Sequence, residues 1–482
     1  MVGRALRELT PLASGSHRLG AELRHWRLTR ELSQNQLGDL IHHSGALVSK
    51  VEKADRRPSL KFCRLVDEKL ETKGALSLLW HATAPTSDET ASDCDTEAVT
   101  EVVTTDDIVE AGLRWSEDVA GAVDVTCRMW RSEMDRRILL ASTAWASTAF
   151  VGPFRTWLNA QPDVIPARHV GRSIGQADVD ALWTMSVSFA DANNQFGGSH
   201  ARSTLIHYLD LVVRPLLLHG DYTERVGRGV MAAAARFCDI CAYMSFDSGE
   251  HGLAQRYFVQ ALRLAHASGN RALAARILGD MSRQAHHLGD ANQALELAVA
   301  GYATALHGGS PATVARCAIL QGRAHALRGD AAAAAKSRLL AEEALDVEVS
   351  EAEPVWIQSF TASALTAQTQ YLAADLGQYR EVQRIAPTVI ENSGGMQRRR
   401  LRSKVMLAHS YLPGLGADAD VDHACELLAS VLLSLPSLQS ASVHNQVNEV
   451  RRGLMPYRDQ PSVRQFESLY NHTVVASIGR SS

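Results

Sequence analysis

Between residues 44 and 57, small, hydroxyl-bearing and cationic side chains recur at helical spacing. One side of a helix drawn through this stretch carries Gly45, Ala46, Ser49, Lys50 and Lys53. Hydroxyl and ammonium groups are donors with which proteins contact base edges and phosphates. The pattern therefore indicates a helix face that could contact DNA.

Two short helices are needed to position that face. Ser33 followed by Gln36 is a capping box, so a first helix begins at Gln34. Its apolar face consists of Leu37, Leu40 and Ile41. A break at residues 42–45 ends this helix, and Ser44 can cap a second one. The inward residues of the second helix are Val48 and Val51. Two short helices joined by a tight turn predict a helix-turn-helix unit.

Several short motifs in this stretch match one known family. They are Leu32-Ser33-Gln34, Leu37, Ser49-Lys50-Val51-Glu52 and Arg57-Pro58-Ser59. With them, the stretch from about residue 18 to residue 80 resembles the lambda-repressor-like (Xre) helix-turn-helix family. The resemblance implies that the second helix enters the major groove of double-stranded DNA. It also implies that Gln34 contacts a phosphate.

The same resemblance implies contacts with DNA by Gln34, Gly45, Ala46, Ser49, Lys50, Arg56 and Arg57. The predicted DNA-binding set also includes Ser44, which caps the second helix, and Lys53, on its outward side. The second helix would face base edges, and the two arginines would meet phosphates. Its leading residues, Gly45 and Ala46, are short, so we expect specificity to depend on Ser49, Lys50 and DNA shape. A small helical hairpin that does not bind DNA is the alternative interpretation.

Charge is distributed unevenly along the 482 residues. Residues 1–81 hold 14 Lys and Arg against 9 Asp and Glu. Residues 82–110 hold 9 acidic residues and no basic one, and residues 111–482 hold 35 of each sign. A basic module, an acidic tether and a neutral body are typical of a protein that contacts DNA at one end.

These patterns predict an all-α protein in five parts. Residues 1–17 form a flexible arm, and residues 18–81 form a five-helix, lambda-repressor-like DNA-binding domain. Residues 82–104 are an acidic flexible linker, because they carry too little apolar surface to fold. Residues 105–230 form a helical domain that leads into an α-solenoid of tetratricopeptide-like hairpins at residues 231–482.

The solenoid is predicted from a period of 40 residues. The period relates three glycines and the acidic residue after each, and also three alanines: Gly249, Gly289, Gly329; Glu250, Asp290, Asp330; Ala254, Ala294, Ala334. We expect each glycine to end a helix and each acidic residue to cap the next. The unit from His251 to Gly269 resembles a tetratricopeptide repeat, although the signature Trp and Pro are missing. Weaker units follow around Gly377 and Ala424.

A solenoid presents a groove that can bind an effector. Five basic residues fall between Arg398 and Lys404. If they face the groove, they favour an acidic peptide or a phosphorylated ligand; a solvated helix face is the alternative. The residues predicted for the groove are Arg398, Arg399, Arg400, Arg402 and Tyr257.

Other features of the body allow two interpretations. Four of the eight tryptophans lie within 50 residues: Trp115, Trp130, Trp145 and Trp157. They could line a ligand pocket, but core packing is the favoured interpretation. The turn-rich stretch at residues 191–201 contains Gly197-Gly198, which could hold an anion before a helix capped by Ser199. A simple turn between helices is favoured there.

The sequence contains no motif typical of catalysis: no Gly-x-x-x-x-Gly-Lys-Ser/Thr, Gly-x-Ser-x-Gly or His-Glu-x-x-His. Cys238 and Cys241 lack a second pair, and His286-His287 with Asp290 lack a fourth ligand. We therefore expect no enzymatic activity, no cofactor and no metal. With scattered cysteines and no apolar span of 18 residues, we expect a cytoplasmic, nucleoid-associated protein without a membrane partner.

In overall order the chain resembles the Xre-type regulators with tetratricopeptide-like sensor domains found in actinobacteria. The resemblance implies a transcriptional regulator that binds an operator, as a homodimer, under the control of a peptide, protein or small-molecule effector. The alternative is an interaction scaffold in which the repeats bind a protein and DNA contact is secondary.

Overall fold

The computed structural model describes residues 15–30, 32–41, 43–54, 56, 58–70, 72, 76, 110, 112–133, 145–165, 171–347, 353–415, 417–438 and 440–478. Within these ranges the regular structure is helical apart from two strands of two residues each. The chain divides into two units, Met1–Thr100 and Glu101–Ser482. The predicted all-α architecture is confirmed.

Four helices of the first unit are described: α1 (Gly15–Thr29), α2 (Gln34–Leu40), α3 (Gly45–Glu52) and α4 (Leu60–Leu70). Their core consists of Leu19, Leu23, Leu37, Ile41, Val48, Val51, Phe62, Cys63, Val66, Leu70 and Leu76. Leu40, predicted to be inward, is exposed because it lies on the outer side of the last turn of α2. The predicted fifth helix at residues 78–80 and the linker at residues 82–104 lie outside the described residues, as do residues 1–14 of the arm.

The second unit begins with helices that surround a large apolar core. They are α5 (Val119–Glu133), α6 (Val151–Asn159), α7 (Gln176–Phe196), α8 (Gly198–Tyr208), a π-helical turn at Leu209–Val213, and α9 (Arg214–His219). Strands β1 (Arg172–Ser173) and β2 (Gly220–Asp221) pair in parallel. Trp130 is fully buried in this core, and Trp115 and Trp157 pack against it, as the packing interpretation predicts.

The stretch at residues 191–201 differs from its prediction. It is helical except at Gly197, which has a φ of 89° and is the single residue between α7 and α8. Gly197, and not Ser199, holds the position before α8, which begins at Gly198. The amide of Gly198 lies 3.4 Å from the Asp247 carboxylate, so a group of the same chain occupies the predicted anion position.

Paired helices follow, as predicted. They are α10 (Glu224–Asp247) and α11 (His251–Ser268), α12 (Arg271–His287) and α13 (Ala291–Ala305), α14 (Pro311–Leu327) and α15 (Ala331–Leu345), α16 (Ala362–Asp375) and α17 (Tyr379–Glu391), α18 (Gln397–Ser410) and α19 (Val421–Ser434), and finally α20 (Ala441–Leu454) and α21 (Pro461–Ile478). The first helices of successive pairs contact one another in one layer. This is the stacking of an α-solenoid.

The period of 40 is the length of two helices with their turns. Gly249, Gly289 and Gly329 have positive φ within the pairs, and Gly269 and Gly309 repeat this conformation between pairs. A left-handed residue ends a helix most cheaply when it has no Cβ, so glycine recurs every 20 residues. The periodic alanines, 254, 294 and 334, are fully buried, which lets neighbouring helices approach closely.

The predicted caps are confirmed in two of three cases. Asp290 accepts a hydrogen bond from the amide of Gln293, and Asp330 accepts one from that of Ala333. Glu250 makes no side-chain cap and instead forms an ion pair with Arg202 of α8. The side chain of Glu250 is longer than that of aspartate, so it reaches α8, where Arg202 supplies the cation.

A buried polar cluster joins the later pairs to the beginning of the array. Asp247, at the end of α10, is fully buried and lies 3.2 Å from Arg398 of α18. It also accepts hydrogen bonds from Ser440 (2.8 Å) and Ser442 (2.7 Å), at the start of α20. Arg398 in turn donates to Asn194 of α7 (2.8 Å). The array therefore closes on itself.

Helix α10 is long and apolar enough to cross a membrane by length and composition alone. Its most apolar window is 89% buried inside the second unit. It contains Cys238 and Cys241, both fully buried, so both serve as packing residues there.

Candidate DNA-binding surface and repeat-domain cavity

Helix α3 has one buried and one polar side. Val48 and Val51 belong to the core, as predicted. The residues predicted to contact DNA are exposed or half-buried: Ser44, Ala46, Lys50, Lys53 and Arg56 are exposed, and Gln34, Gly45 and Ser49 are half-buried. Arg57 lies outside the described residues. The described residues of this set are therefore accessible to solvent, and the apolar side of α3 packs against the core of the domain.

Local capping fixes where α2 and α3 begin. The Ser33 hydroxyl accepts a hydrogen bond from the Gln36 amide (3.2 Å), and the Gln36 side chain accepts one from the Ser33 amide (2.8 Å). Ser44 caps α3 by accepting a hydrogen bond from the amide of Leu47 (3.3 Å). Both predicted caps are confirmed.

Gly38 allows the turn between the two helices to be tight, a role that the sequence motifs did not predict. A Cβ at this position would lie 2.6 Å from the carbonyl oxygen of His43 and 2.8 Å from the amide nitrogen of Gly45. Both are backbone atoms that cannot rotate away. A glycine in the middle of a short predicted helix was the available signal, because glycine disfavours helix interiors.

A buried carboxylate, Glu52, ties α3 to α1 and α2. Its oxygens lie 2.5 Å from Nε of Arg27 and 3.3 Å from Nε of Arg24, both on α1. The Gln34 side-chain amide, at the start of α2, donates to Glu52 over 2.7 Å. Arg27 also donates to the carbonyl of Leu32 (2.7 Å). This network sets the orientation of α3, and buried charge-assisted hydrogen bonds of this kind resist reorientation.

The contact with Glu52 bears on the role predicted for Gln34. A carboxamide has two hydrogens on its nitrogen, and Glu52 binds one of them. The other can be donated to a phosphate. Gln34 would then meet DNA with its side chain already held in position by the carboxylate behind it.

In the second unit, a cavity of about 320 Å³ opens on the layer of first helices. Arginines from four helices line it: Arg236, Arg276, Arg283, Arg316, Arg398 and Arg399. The acidic residues in the lining are Asp191, Asp239 and Asp280. Tyr243, Trp356 and Phe360 contribute aromatic rings. The cavity thus combines excess positive charge with flat apolar surface.

The residues predicted for the effector groove are only partly brought together. Arg398 and Arg399 line the cavity. Arg400 lies outside the lining and donates to the carbonyl of Gly394. The expectation for Arg402 and Tyr257 is corrected. Arg402 is buried and donates to Ser442, where it supports the closure of the array, and Tyr257 is fully buried in the core.

The sequence contains a signal for this cavity that lies outside the motifs described above. Arg236, Arg276 and Arg316 are spaced by 40, the period already seen in the glycines and alanines. One such residue in each first helix must recur on the same side of the layer. The pKa of Tyr243 reflects the positive potential that the surrounding arginines create. Burial raises the pKa of Tyr243, but Arg283, Arg398 and Arg402 lower it more, and the net pKa is below the usual value.

Comparisons with known proteins agree with the first unit. A family model described as a helix-turn-helix domain matches residues 18–79. No curated protein matches the sequence. A similar solved structure is that of Bacillus thuringiensis PlcR in complex with the peptide PapR7 and DNA; it is 12% identical and covers 68% of this chain and 94% of its own, with a TM-score of 0.23. A TM-score this low does not establish a shared fold. Residues 18–79 are therefore a helix-turn-helix domain, which precedes a solenoid of paired helices.

Proposed function

We propose that the chain is a sequence-specific transcriptional regulator without enzymatic activity. Helix α3 reads an operator, and the repeats sense an effector and hold two copies together. The exposed polar side of α3 supports this proposal most directly, because Glu52 holds it at a fixed angle to α1 and α2. A protein of this kind works in the cytoplasm, in contact with the nucleoid.

A footprint on genomic DNA tests the proposal. A dimer that places two copies of α3 in successive major grooves should protect two half-sites whose centres are separated by about 34 Å, or a multiple of it. We expect a discrete protected palindrome at physiological salt. If protection is absent or spread evenly, the operator function is refuted. An interaction scaffold with secondary DNA contact then becomes the better interpretation.

The division of roles on the surface can be tested with two exposed cations. Lys50 lies in the middle of α3 and is proposed to face base edges, whereas Arg56 follows the helix and is proposed to meet a phosphate. Lys50→Ala should weaken operator binding by about tenfold, ~1.4 kcal/mol, and weaken binding to a scrambled duplex much less. Arg56→Ala should weaken binding to both by the same factor. It should also flatten the slope of log affinity against log salt by about one unit.

Fluorescence anisotropy with both duplexes, over a range of salt concentrations, measures these effects. Lys69→Ala is the matched control, because Lys69 is an exposed cation of α4 that contacts Glu68. It should leave both affinities near those of the wild type. If Lys50→Ala and Arg56→Ala change specific and non-specific binding alike, the proposed division of roles is wrong.

A further inference from the structure

We propose that the arginine-lined cavity of the second unit binds a small organic anion with about two negative charges and a flat ring, and that this anion is the effector. The second half of the proposal rests on the function proposed above. The binding itself does not, since it involves only the second unit.

Three of the lining arginines are matched by carboxylates of the same lining. Arg236 lies 2.5 Å from Asp239, and Arg276 lies 3.3 Å from the same carboxylate. Arg316 lies 2.5 Å from Asp280. Three cations therefore share two carboxylates, both of them almost fully buried. These pairs form the charged floor of the cavity. The third acidic residue of the lining, Asp191, is exposed, and among the described residues it forms no ion pair with a lining arginine.

Arg398 is already engaged in the closure of the array through Asp247 and Asn194. Arg283 and Arg399 differ from it. Within the described part of the chain, neither has a carboxylate within ion-pair distance. Arg283 lies instead over the ring of Tyr243, at 5.0 Å from its centroid. Two guanidinium groups of the lining thus lack an anion, and burial lowers the pKa of both.

An arginine stays charged in a protein, so burial cannot remove this excess by deprotonation. A buried cation is tolerated when an anion meets it, and the planar guanidinium fits carboxylate and phosphate groups with two parallel hydrogen bonds. With Arg398 matched by Asp247, the other five arginines of the lining face three aspartates, which leaves a net charge of about two for a ligand to neutralise. One phosphate or two carboxylates would supply it.

Two buried atoms at the floor also lack partners. Nε of Arg236 and Oδ1 of Asp239 belong to side chains that are more than nine-tenths buried, and neither makes a hydrogen bond within the described residues. Unsatisfied buried polar groups are costly, which makes them natural contacts for a ligand. They call for one acceptor and one donor, so the ligand also carries a hydroxyl or an N–H group.

The aromatic side chains of the lining favour a ligand that contains a flat ring. Trp356 and Phe360 line the cavity together with Tyr243. A flat aromatic group can stack on such side chains, and guanidinium groups can lie over it. The volume, about 320 Å³, is near the lower end for small-molecule sites. A compact aromatic anion fits this description better than an extended peptide, which requires a longer groove.

The cavity is placed where binding could influence the whole array. Its lining comes from α7, α10, α12, α14, α16 and α18, which span both sides of the closure at Asp247. An anion bridging Arg283 of α12 and Arg399 of α18 would hold these helices in one arrangement. A ligand changes a conformational equilibrium only by its differential affinity for the two states.

Isothermal titration calorimetry on the full chain tests the binding, with four probes of stated chemistry. Adenosine 5′-monophosphate supplies a ring, hydroxyls and a phosphate; adenosine is its neutral counterpart. Isophthalate supplies a ring and two carboxylates, and inorganic phosphate supplies charge alone. We expect one of the two ringed dianions to bind at least tenfold more tightly than adenosine and inorganic phosphate. The better one identifies the anionic group. Binding of neither ringed dianion up to millimolar concentration overturns the proposal.

Two neighbouring arginines of α18 provide a matched pair of variants. Arg399→Gln should lower the affinity for the better probe at least tenfold, whereas Arg400→Gln, outside the lining, should leave it unchanged. Because Arg399 has no anionic partner, its replacement should not lower the unfolding temperature of the ligand-free protein. Arg283→Gln tests the same site from α12 if Arg399→Gln fails to fold. Equal loss in the Arg399→Gln and Arg400→Gln variants overturns the assignment.

The role as effector has its own readout. The better probe should change operator affinity at least fivefold in the wild type and have no effect in the Arg399→Gln variant. Calorimetric binding without such a change overturns the effector role. A failed footprint is a separate result, because it refutes the operator function while the calorimetric outcome still decides the binding site.

Discussion

Replacing Glu52 with alanine should unfold the helix-turn-helix domain while leaving the repeats folded. The Glu52 side chain is fully buried and receives Arg27 at 2.5 Å and Gln34 at 2.7 Å. Its loss would leave Arg27, which is 4% exposed, as a buried cation without its anion. Removing one partner of a buried pair costs about 3–5 kcal/mol. A domain of this size has about 5 kcal/mol of stability in total, so the folded state would be lost or barely populated.

Hydrogen exchange followed by mass spectrometry measures this effect separately in each unit of the full chain. Peptides from residues 18–79 should lose protection in the Glu52→Ala variant, and peptides from residues 224–478 should keep it. Glu68→Ala is the control, because Glu68 is an exposed glutamate of α4 paired with Lys69. Exposed pairs contribute at most about 1 kcal/mol. Protection of residues 18–79 at the wild-type level in Glu52→Ala would show that the Glu52 network does not hold the three helices together.

Asp247→Asn should open the closed array of repeats. Asp247 is buried, lies 3.2 Å from Arg398 and accepts hydrogen bonds from Ser440 and Ser442. The neutral amide would leave Arg398 buried without its anion and would bring N–H groups against the serine hydroxyls. We expect a loss of about 3–5 kcal/mol. The first peptides to lose protection should come from α18 and α20. Asp346→Asn, an exposed aspartate at the end of α15, should change nothing.

The same carboxylate gives a dependence on pH with a defined sign. Burial raises the pKa of Asp247, but Arg398, Arg402 and the two serine hydroxyls lower it more, so the folded pKa is below its usual value of 3.8. A lowered folded pKa adds stability that is fully present above the unfolded pKa and is lost as pH falls through the folded pKa. The difference in unfolding free energy between wild type and Asp247→Asn should therefore be constant above about pH 5 and shrink below about pH 4. Urea titrations at several pH values measure it. A difference that grows on acidification would contradict the assignment.

Local patterns predicted local structure well. Ser33 with Gln36, and Ser44, act within one helical turn, so their spacing alone located the starts of α2 and α3. The glycine period likewise located the turns of the solenoid, because the left-handed conformation that ends a helix selects glycine directly. At residues 191–201 the same reasoning failed. Polar residues that often form turns continued α7 instead, and Gly197 alone ended it.

Interactions between distant residues could not be predicted from spacing. Glu52 matched a family pattern, but its partners Arg24 and Arg27 lie 28 and 25 residues away, and many arginines were available. Arg402 and Tyr257 were placed in a groove because charge and aromatic character do not reveal burial. The cavity was predictable only in part. Its period of 40 was visible at Arg236, Arg276 and Arg316, whereas the return of α18 to α7 depends on the curvature of the whole array.

The contact between Asp247 and Ser440 joins residues 193 positions apart in sequence. In an open solenoid each repeat contacts only its neighbours, so unfolding can begin at a free end and spread one repeat at a time. The contact between the end of α10 and the start of α20 joins the first pair of helices to the last, so the first pair is no longer a free end. The repeats then lose much of their independence, and their unfolding becomes a cooperative event. Because contacts of such high sequence separation form late, folding of the second unit is expected to be slow, with the closing contact among its last steps.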